Sequence, residues 1–281
     1  MNILNENSIL STAVLNVVSM LLVGCIDYPI YDFAYHDYGK IISLITDWEE
    51  RGNDIGIPES YTVKIGDYVT ILSGTKNPID KFFPSGKYII NIWNAADHIA
   101  ISNMVATVDY SAGDLGWFFT GRKETNIEID GKHSIIVFMQ QQVRQLTFEL
   151  EVSDNVKDRL TGVSATLSGV AGTMNIDDGT HGAPTIKKLT FYEDIKNSKW
   201  KTTVRLLGVT GNTQMLTLTM DFTDNPSTFP ADLSNQLALF NEDKKTPLTL
   251  SARFDGMQTG GELITSITDW IPEETSTGSA D

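Results

Sequence analysis

The sequence predicts an all-β protein made of two sandwiches, and three observations carry that reading. Apolar and polar residues alternate along most of the chain instead of recurring every 3.6 residues. The alternating runs are rich in Val, Ile, Thr, Tyr and Phe, and Gly, Pro, Asn and Asp turns separate them. About 240 residues of this pattern are long for one sandwich and suit two of roughly 110–125 residues each.

In chain order, IISLITDW (41–48) reads as the opening strand. YTVKIGDYVTIL (61–72) reads as one long strand or as a hairpin around Gly66-Asp67. KYIINIWN (87–94) alternates, with Tyr88, Ile90 and Ile92 on one face and Ile89, Asn91 and Trp93 on the other. HIAISNMVATVDY (98–110), NIEID (126–130), HSIIVFMQQ (133–141) and RQLTFELEVS (144–153) follow. In the last, Leu146, Phe148, Leu150 and Val152 share a face opposite Thr147, Glu149 and Glu151, the pattern of a half-solvated antiparallel strand. VSATLSGVAG (163–172), KKLTFYED (187–194), WKTTVRLLGV (200–209), QMLTLTMDF (214–222), LTLSARFD (248–255) and GELITSITDW (261–270) complete the strands. Helix-like candidates are 111–123 and 155–163, and 231–241 reads as a loop or short helix. The boundary between sandwiches is set near 142–146, where Gln140-Gln141-Gln142 intervenes. The tail after 272 is polar and acidic.

With 281 residues, 41% hydrophobic and 20% charged, the chain can bury a core without disulfides or metals. Its formal charge of −15 repels phosphate backbones, which argues against nucleic acid as a partner. The same acidity also serves solubility.

The single cysteine, Cys25, cannot form an internal disulfide. It ends an apolar run, Ile9 to Val23, that is short for a permanent membrane span and fits the apolar region of a signal peptide. Leu22-Val23-Gly24-Cys25 is similar to a lipoprotein cleavage box, which would make Cys25 the first mature residue and the site of lipidation. A thiol is needed there because the diacylglycerol thioether forms on sulfur. Two acylation signals hold a protein stably at a bilayer. The leading MNILNENS has no Lys or Arg and carries Glu6, a departure from the positive start of a signal peptide. The alternative is a buried N-terminal helix with a core cysteine. The reading expects a signal peptide at 1–24, a tether at 25–39, sandwiches at 40–143 and 144–272, and a polar tail at 273–281.

One internal echo stands out. Ile45-Thr46-Asp47-Trp48 recurs as Ile267-Thr268-Asp269-Trp270, each followed by a Glu pair. A tryptophan closing an alternating strand is expected to plug one end of a sandwich. The alternative is that Trp48 and Trp270 form a sugar platform.

These segments resemble the fimbrillin-like family of Bacteroidales-type bacteria. The resemblance rests on the cleavage box and short tether leading to a strand ending in Asp47-Trp48, and on Phe83-Pro84-Ser85-Gly86-Lys87-Tyr88 running into IINIWN. It rests also on Leu146 to Val152 followed by LTGVSATLSGVAG (160–172), and on the closing GELITSITDW. It implies two tandem transthyretin-like antiparallel β-sandwiches and an anchor or accessory subunit of a fimbria, displayed on the outer membrane through a lipid. Its partners would be other fimbrial subunits joined by strand complementation at an open sheet edge. No maturation-protease site carries over, since Arg51 in EERGND is a lone Arg and anchors of this type resemble subunits that are not processed there.

Catalytic chemistry finds little footing. The sequence contains no G-x-S-x-G, H-E-x-x-H or phosphate-binding loop. His36, His98, His133 and His181 are scattered, and no Cys/His metal spacing exists, so neither cofactor nor metal is expected. Asn175-Ile176-Asp177-Asp178-Gly179 looks faintly like part of a calcium loop but lacks the later Glu, and a turn held by Asx side chains explains it better. Adjacent carboxylates at Glu49-Glu50, Asp177-Asp178 and Glu273-Glu274 point to opposite faces of a strand and cannot flank one sugar bond. Trp117-Phe118-Phe119 is expected to be buried, and would be an interaction patch if exposed. The rival function is a glycan-binding surface lipoprotein, which would bring two or three of Trp93, Trp117, Trp200 and the tyrosines onto one face.

Overall fold

The computed structural model describes residues 37–194, 196, 199–259 and 262–273. Cys25, the expected signal peptide, His36, most of the expected tether and the residues after 273 lie outside that set.

The first half folds as β1 (Tyr38–Asp47), β2 (Tyr61–Ile65), β3 (Tyr68–Leu72), β4 (Lys76–Asn77), β5 (Phe82–Pro84), β6 (Gly86–Trp93), β7 (Ile99–Ser102), β8 (Val105–Val108), β9 (Phe119–Ile127), β10 (Lys132–Phe138) and β11 (Gln140–Gln141). One sheet has the order β10-β1-β4, with β5 also on β1, and the facing sheet has the order β11-β9-β6-β2-β3. The 61–72 segment is a hairpin, turning at Gly66, whose φ of +56° suits glycine. On β6, Ile90 and Ile92 are fully buried while Ile89 faces out, as the alternation requires. The core between the sheets gathers Ile41, Leu44, Val63, Ile90, Phe119 and Val137 around Trp48. Burying each such side chain contributes about 1.5–3 kcal/mol. In the Pro84-Ser85-Gly86 turn, Gly86 adopts φ +151° and the Tyr88 hydroxyl donates to the Pro84 carbonyl, which fixes the approach to β6.

The second half folds as β12 (Arg144–Val152), a one-turn helix α1 (Asp154–Lys157), β13 (Leu160–Asn175), β14 (His181–Thr190), β15 (Tyr192–Asp194), β16 (Lys199–Leu206), β17 (Met215–Phe222), β18 (Ser227–Asp232), β19 (Leu248–Thr259), β20 (Glu262–Ile267) and β21 (Ile271–Pro272). Its sheets run β15-β16-β12-β19-β20, with β21 on β19, and β18-β17-β13-β8-β7, with β14 on β13. Leu146, Phe148 and Leu150 point into a core with Leu167, Leu218, Phe254 and Trp270. Pairing among the described strands is antiparallel except that β1 runs beside β10, and β12 beside β19, in parallel. Each sandwich thus has one parallel seam involving its opening strand.

Two helix readings give way. Residues 111–118 are turns and extended chain leading into β9, because Phe118 and Phe119 are both drawn into cores. Of 155–163, only the α1 turn is helical before β13 begins. Residues 234–242 form consecutive turns.

The 98–110 segment is a hairpin, and it leaves its own half of the chain. β8 pairs with the far end of β13, through Thr107 with Thr173 and Ala106 with Met174, and β7 extends that sheet further. β13 reaches it by being sixteen residues long and irregular between Leu167 and Val170. Gly169 sits there at φ +69°, and a Cβ on it would overlap the Thr213 carbonyl oxygen.

Candidate docking edge and the junction behind it

The first sandwich leaves β10 open. β10 is hydrogen-bonded to β1 on one side, and no described strand pairs with its other side. Its inward residues Ile135 and Val137 are in the core, so the period of two turns Ile136 and Phe138 outward, 46% and 59% exposed. Ile45 of β1 lies beside Ile136 in register, which widens the apolar surface. An extended edge with unpaired backbone groups and apolar side chains is a template for strand addition.

Behind this edge the halves are fastened together. Ala106, Leu115, Phe118, Val143, Met174, Ile176 and Leu207 form a small core between them. The Gln140-Gln141-Gln142 run is no loose linker, since Gln141 and Gln142 are both buried. The Gln141 side chain accepts from the Gly52 amide at 2.9 Å and donates to the Val143 and Lys244 carbonyls at 2.8 and 2.6 Å. Gln142 donates to Thr120 Oγ1 at 2.8 Å and accepts from Lys244 Nζ at 2.6 Å. Lys244 Nζ in turn lies 3.4 Å from His181 Nε2, which is 3.2 Å from the Leu207 carbonyl. Burial pushes Lys244 down to about 8, and burial together with the Lys244 charge pushes His181 down to about 4. Asn91 on β6 donates to Asp177 at 2.6 Å, pinning the 175–179 turn against the first sandwich. The Tyr110 hydroxyl donates to the Ala171 carbonyl and accepts from the Leu207 amide, and burial pushes its pKa up.

The residues singled out from sequence fall as follows. Trp48 and Trp270 are each almost fully buried, one in each sandwich core, as expected of end plugs. Phe118 and Phe119 are buried, and Trp117 is half-buried beneath the Arg205 guanidinium at 5.3 Å. Trp93 and Trp117 pack on the junction core, whereas Trp200 packs on the core of the second sandwich. The 175–179 segment is an Asx turn, with Asn175 Oδ1 accepting from the Asp177 amide and Asp178 Oδ1 from the Thr180 amide, both at 2.9 Å. Arg51 is engaged, its guanidinium donating to the carbonyls of Trp48 and Ile55 at 2.8 and 3.0 Å. His133 Nε2 accepts from the Glu128 amide. Among the described residues no three His, Cys, Asp or Glu side chains gather as a metal site, and no helix is long and apolar enough to cross a membrane. The Lys244–His181–Gln142 chain was not read from sequence, since its members come from three distant segments.

No protein-family model and no curated protein matches the chain. Solved structures do. A candidate adhesin from Bacteroides ovatus superimposes with a TM-score of 0.59 at 15% identity, over 80% of this chain and 92% of that one. The fimbrial anchor protein Mfa2 from Porphyromonas gingivalis superimposes with a TM-score of 0.53 at 11% identity, over 81% and 97%. A candidate polysaccharide-binding protein from Bacteroides thetaiotaomicron gives 0.54 at 11% identity, over 79% and 96%. The chain has the fold of these adhesin and fimbrial-anchor structures, and that is the fold which the fimbrillin-like resemblance implied.

Proposed function

We propose that this protein is a non-enzymatic cell-surface lipoprotein that anchors or helps to assemble a fimbria. In this reading residues 1–24 are a signal peptide, Cys25 carries the lipid at the outer membrane, and 25–39 tether the sandwiches at 40–143 and 144–272. The observation that carries it is the open β10 edge with Ile136 and Phe138 exposed, on a fold shared with a fimbrial anchor protein. A neighbouring subunit would add an extended segment to β10, its backbone bonding to the edge and its side chains covering Ile136 and Phe138.

Two measurements test the reading. Intact mass of the wild type and of Cys25→Ala should differ by the lipid, and an unlipidated wild type retaining residues 1–24 would end the anchor assignment. Purified fimbriae should contain the chain. Phe138→Lys with Ile136→Lys should remove it from them without loss of folding, because both side chains are exposed. Undiminished incorporation of that variant would move the docking site elsewhere. Trp93, Trp117 and Trp200 are each partly buried against a core, which favours the fimbrial reading over an open aromatic platform.

A further inference from the structure

The end of the first sandwich where the described chain begins carries an open apolar groove. Tyr38, Gly39, Lys40, Ile42, Phe82 and Lys132 line an open groove of about 430 Å³ there. Ile42 and Phe82 are 48% and 46% exposed, and Ile129, in the β9–β10 turn at the same end, is 54% exposed. The turn is held to this end because the Asp130 amide donates to the Tyr38 carbonyl. Lysines flank the apolar residues, together with the exposed acids Asp80, Glu128 and Asp130. Lys40 Nζ sits 5.1 Å from the Phe82 ring centre while pairing with Asp80, and Lys81 Nζ sits 4.9 Å from the Tyr68 ring. Apolar tips flanked by lysines whose stems lie along aromatic rings suit a boundary between headgroups and acyl chains.

We propose that this end of the protein rests on the membrane, with Phe82, Ile129 and Ile42 entering the lipid interface and Lys40, Lys81 and Lys132 at the headgroup level. The proposal rests on the lipid anchor at Cys25. What selects a lipid surface over other occupants is where the chain leaves the sandwich. From Cys25 to Asp37 is twelve residues. Fully extended they reach about 40 Å, and as a flexible chain about 20 Å. A lipid on Cys25 therefore joins the sandwich at this end, which reaches the bilayer over the shortest length of chain. Tethering at that range makes the local concentration of membrane high, so a shallow contact that would be weak alone becomes populated.

The test uses the mature lipidated chain, whose one native thiol is consumed by the lipid. Single-cysteine variants Phe82→Cys, Ile129→Cys and, as a distant control, Ile186→Cys on β14 carry a polarity-sensitive fluorophore. All three positions are exposed, so the fold should tolerate the changes, and circular dichroism checks this. The proteins are reconstituted into vesicles of phosphatidylethanolamine and phosphatidylglycerol with brominated acyl chains. The expected result is a blue shift and loss of emission at 82 and 129, with the 186 label unchanged. Equal behaviour of the three labels, in protein whose mass proves lipidation, overturns the proposal. Labels at 82 and 129 that are shielded from aqueous iodide yet not quenched by brominated lipid overturn it as well, and assign the groove to residues 26–36 or to a protein partner. Failure of lipidation itself shows in the mass, separately from the fluorescence, and removes the anchor reading together with this one.

Discussion

Ile45-Thr46-Asp47-Trp48 and Ile267-Thr268-Asp269-Trp270 place the same four side chains in two sandwiches. The ring does the same work in both. Trp48 meets Tyr61 and Phe119 at centroid distances of 5.9 and 5.5 Å, and Trp270 meets Phe148 edge-on at 5.3 Å. The hydrogen bonds differ. In the first copy Thr46 Oγ1 accepts from the Trp48 indole N–H at 2.9 Å. In the second, Thr268 Oγ1 accepts instead from the Arg253 amide at 2.9 Å, and the buried Trp270 indole N–H finds no partner among the described residues. The first copy ends a strand paired in parallel with β10, whereas Thr268 and Trp270 lie between β20 and β21, where the chain must return to β19. An identical motif can thus conserve packing while its polar group is redirected by the strand it lies against.

The largest expected effect tests whether packing is equivalent. Trp48→Ala and Trp270→Ala should each destabilise by about 3–5 kcal/mol, as other large core truncations do, read as a shift in the urea midpoint. A cost below about 1 kcal/mol for either would remove that ring from its core. The next effect tests the hydrogen-bond difference. Thr46→Val strands a buried indole and should cost about 1–3 kcal/mol, while Thr268→Val uncovers an amide that water can reach and should cost less than about 1 kcal/mol. By the same logic, Trp270→Phe should be milder than Trp48→Phe, because it removes an unpartnered N–H.

A third prediction separates the halves by pH. His181, in the second half, is held at about 4, below its ordinary 6.5. The folded state therefore binds fewer protons than the unfolded state between those values, and stability is full above about 6.5 and is lost as pH falls toward 4. The groups facing His181 across the junction are Lys244, which raises the cost of its protonation, and the neutral Gln142 beyond. Thermal melts from pH 7 to pH 4 should fall more steeply for the wild type than for His181→Gln, and parallel curves would refute the assignment. The smallest effect concerns the solvent face of β12, where Glu149 bridges Lys199 and Lys201 at 2.9 and 2.7 Å. Both lysines hold its carboxyl below the usual carboxylate range, yet the lysines are substantially exposed, so Glu149→Gln should cost less than about 1 kcal/mol and less still at high salt.

Much of this architecture was legible because period-two alternation is a local property. β6 and β12 could be assigned face by face, and Asn175 to Gly179 carried its own turn chemistry. The two tryptophan plugs were readable from the repeated motif. What was not legible is long-range. Nothing in 98–110 says that its strands join a sheet some seventy residues downstream, since alternation specifies a buried face and not a partner. Residues 111–123 read as helix-like, but Leu115 and Phe118 enter the junction core and Phe119 the core of the first sandwich, which pulls the chain extended. The open edge at β10 was foreseeable as a kind of site, but Ile136 and Phe138 could be named only once β1 was seen on its other side.

The hairpin of β7 and β8 also decides how this chain can be divided. The polypeptide goes out to the second sandwich and comes back before the first is finished, so the two bodies are interleaved in sequence although each has its own core. A cut anywhere in 142–146 would take two strands away from the sheet that ends on β13 and expose Met174 and Ile176 to water. Grafting or inheriting the second sandwich alone would therefore require a substitute edge, and the smallest self-sufficient unit is the pair.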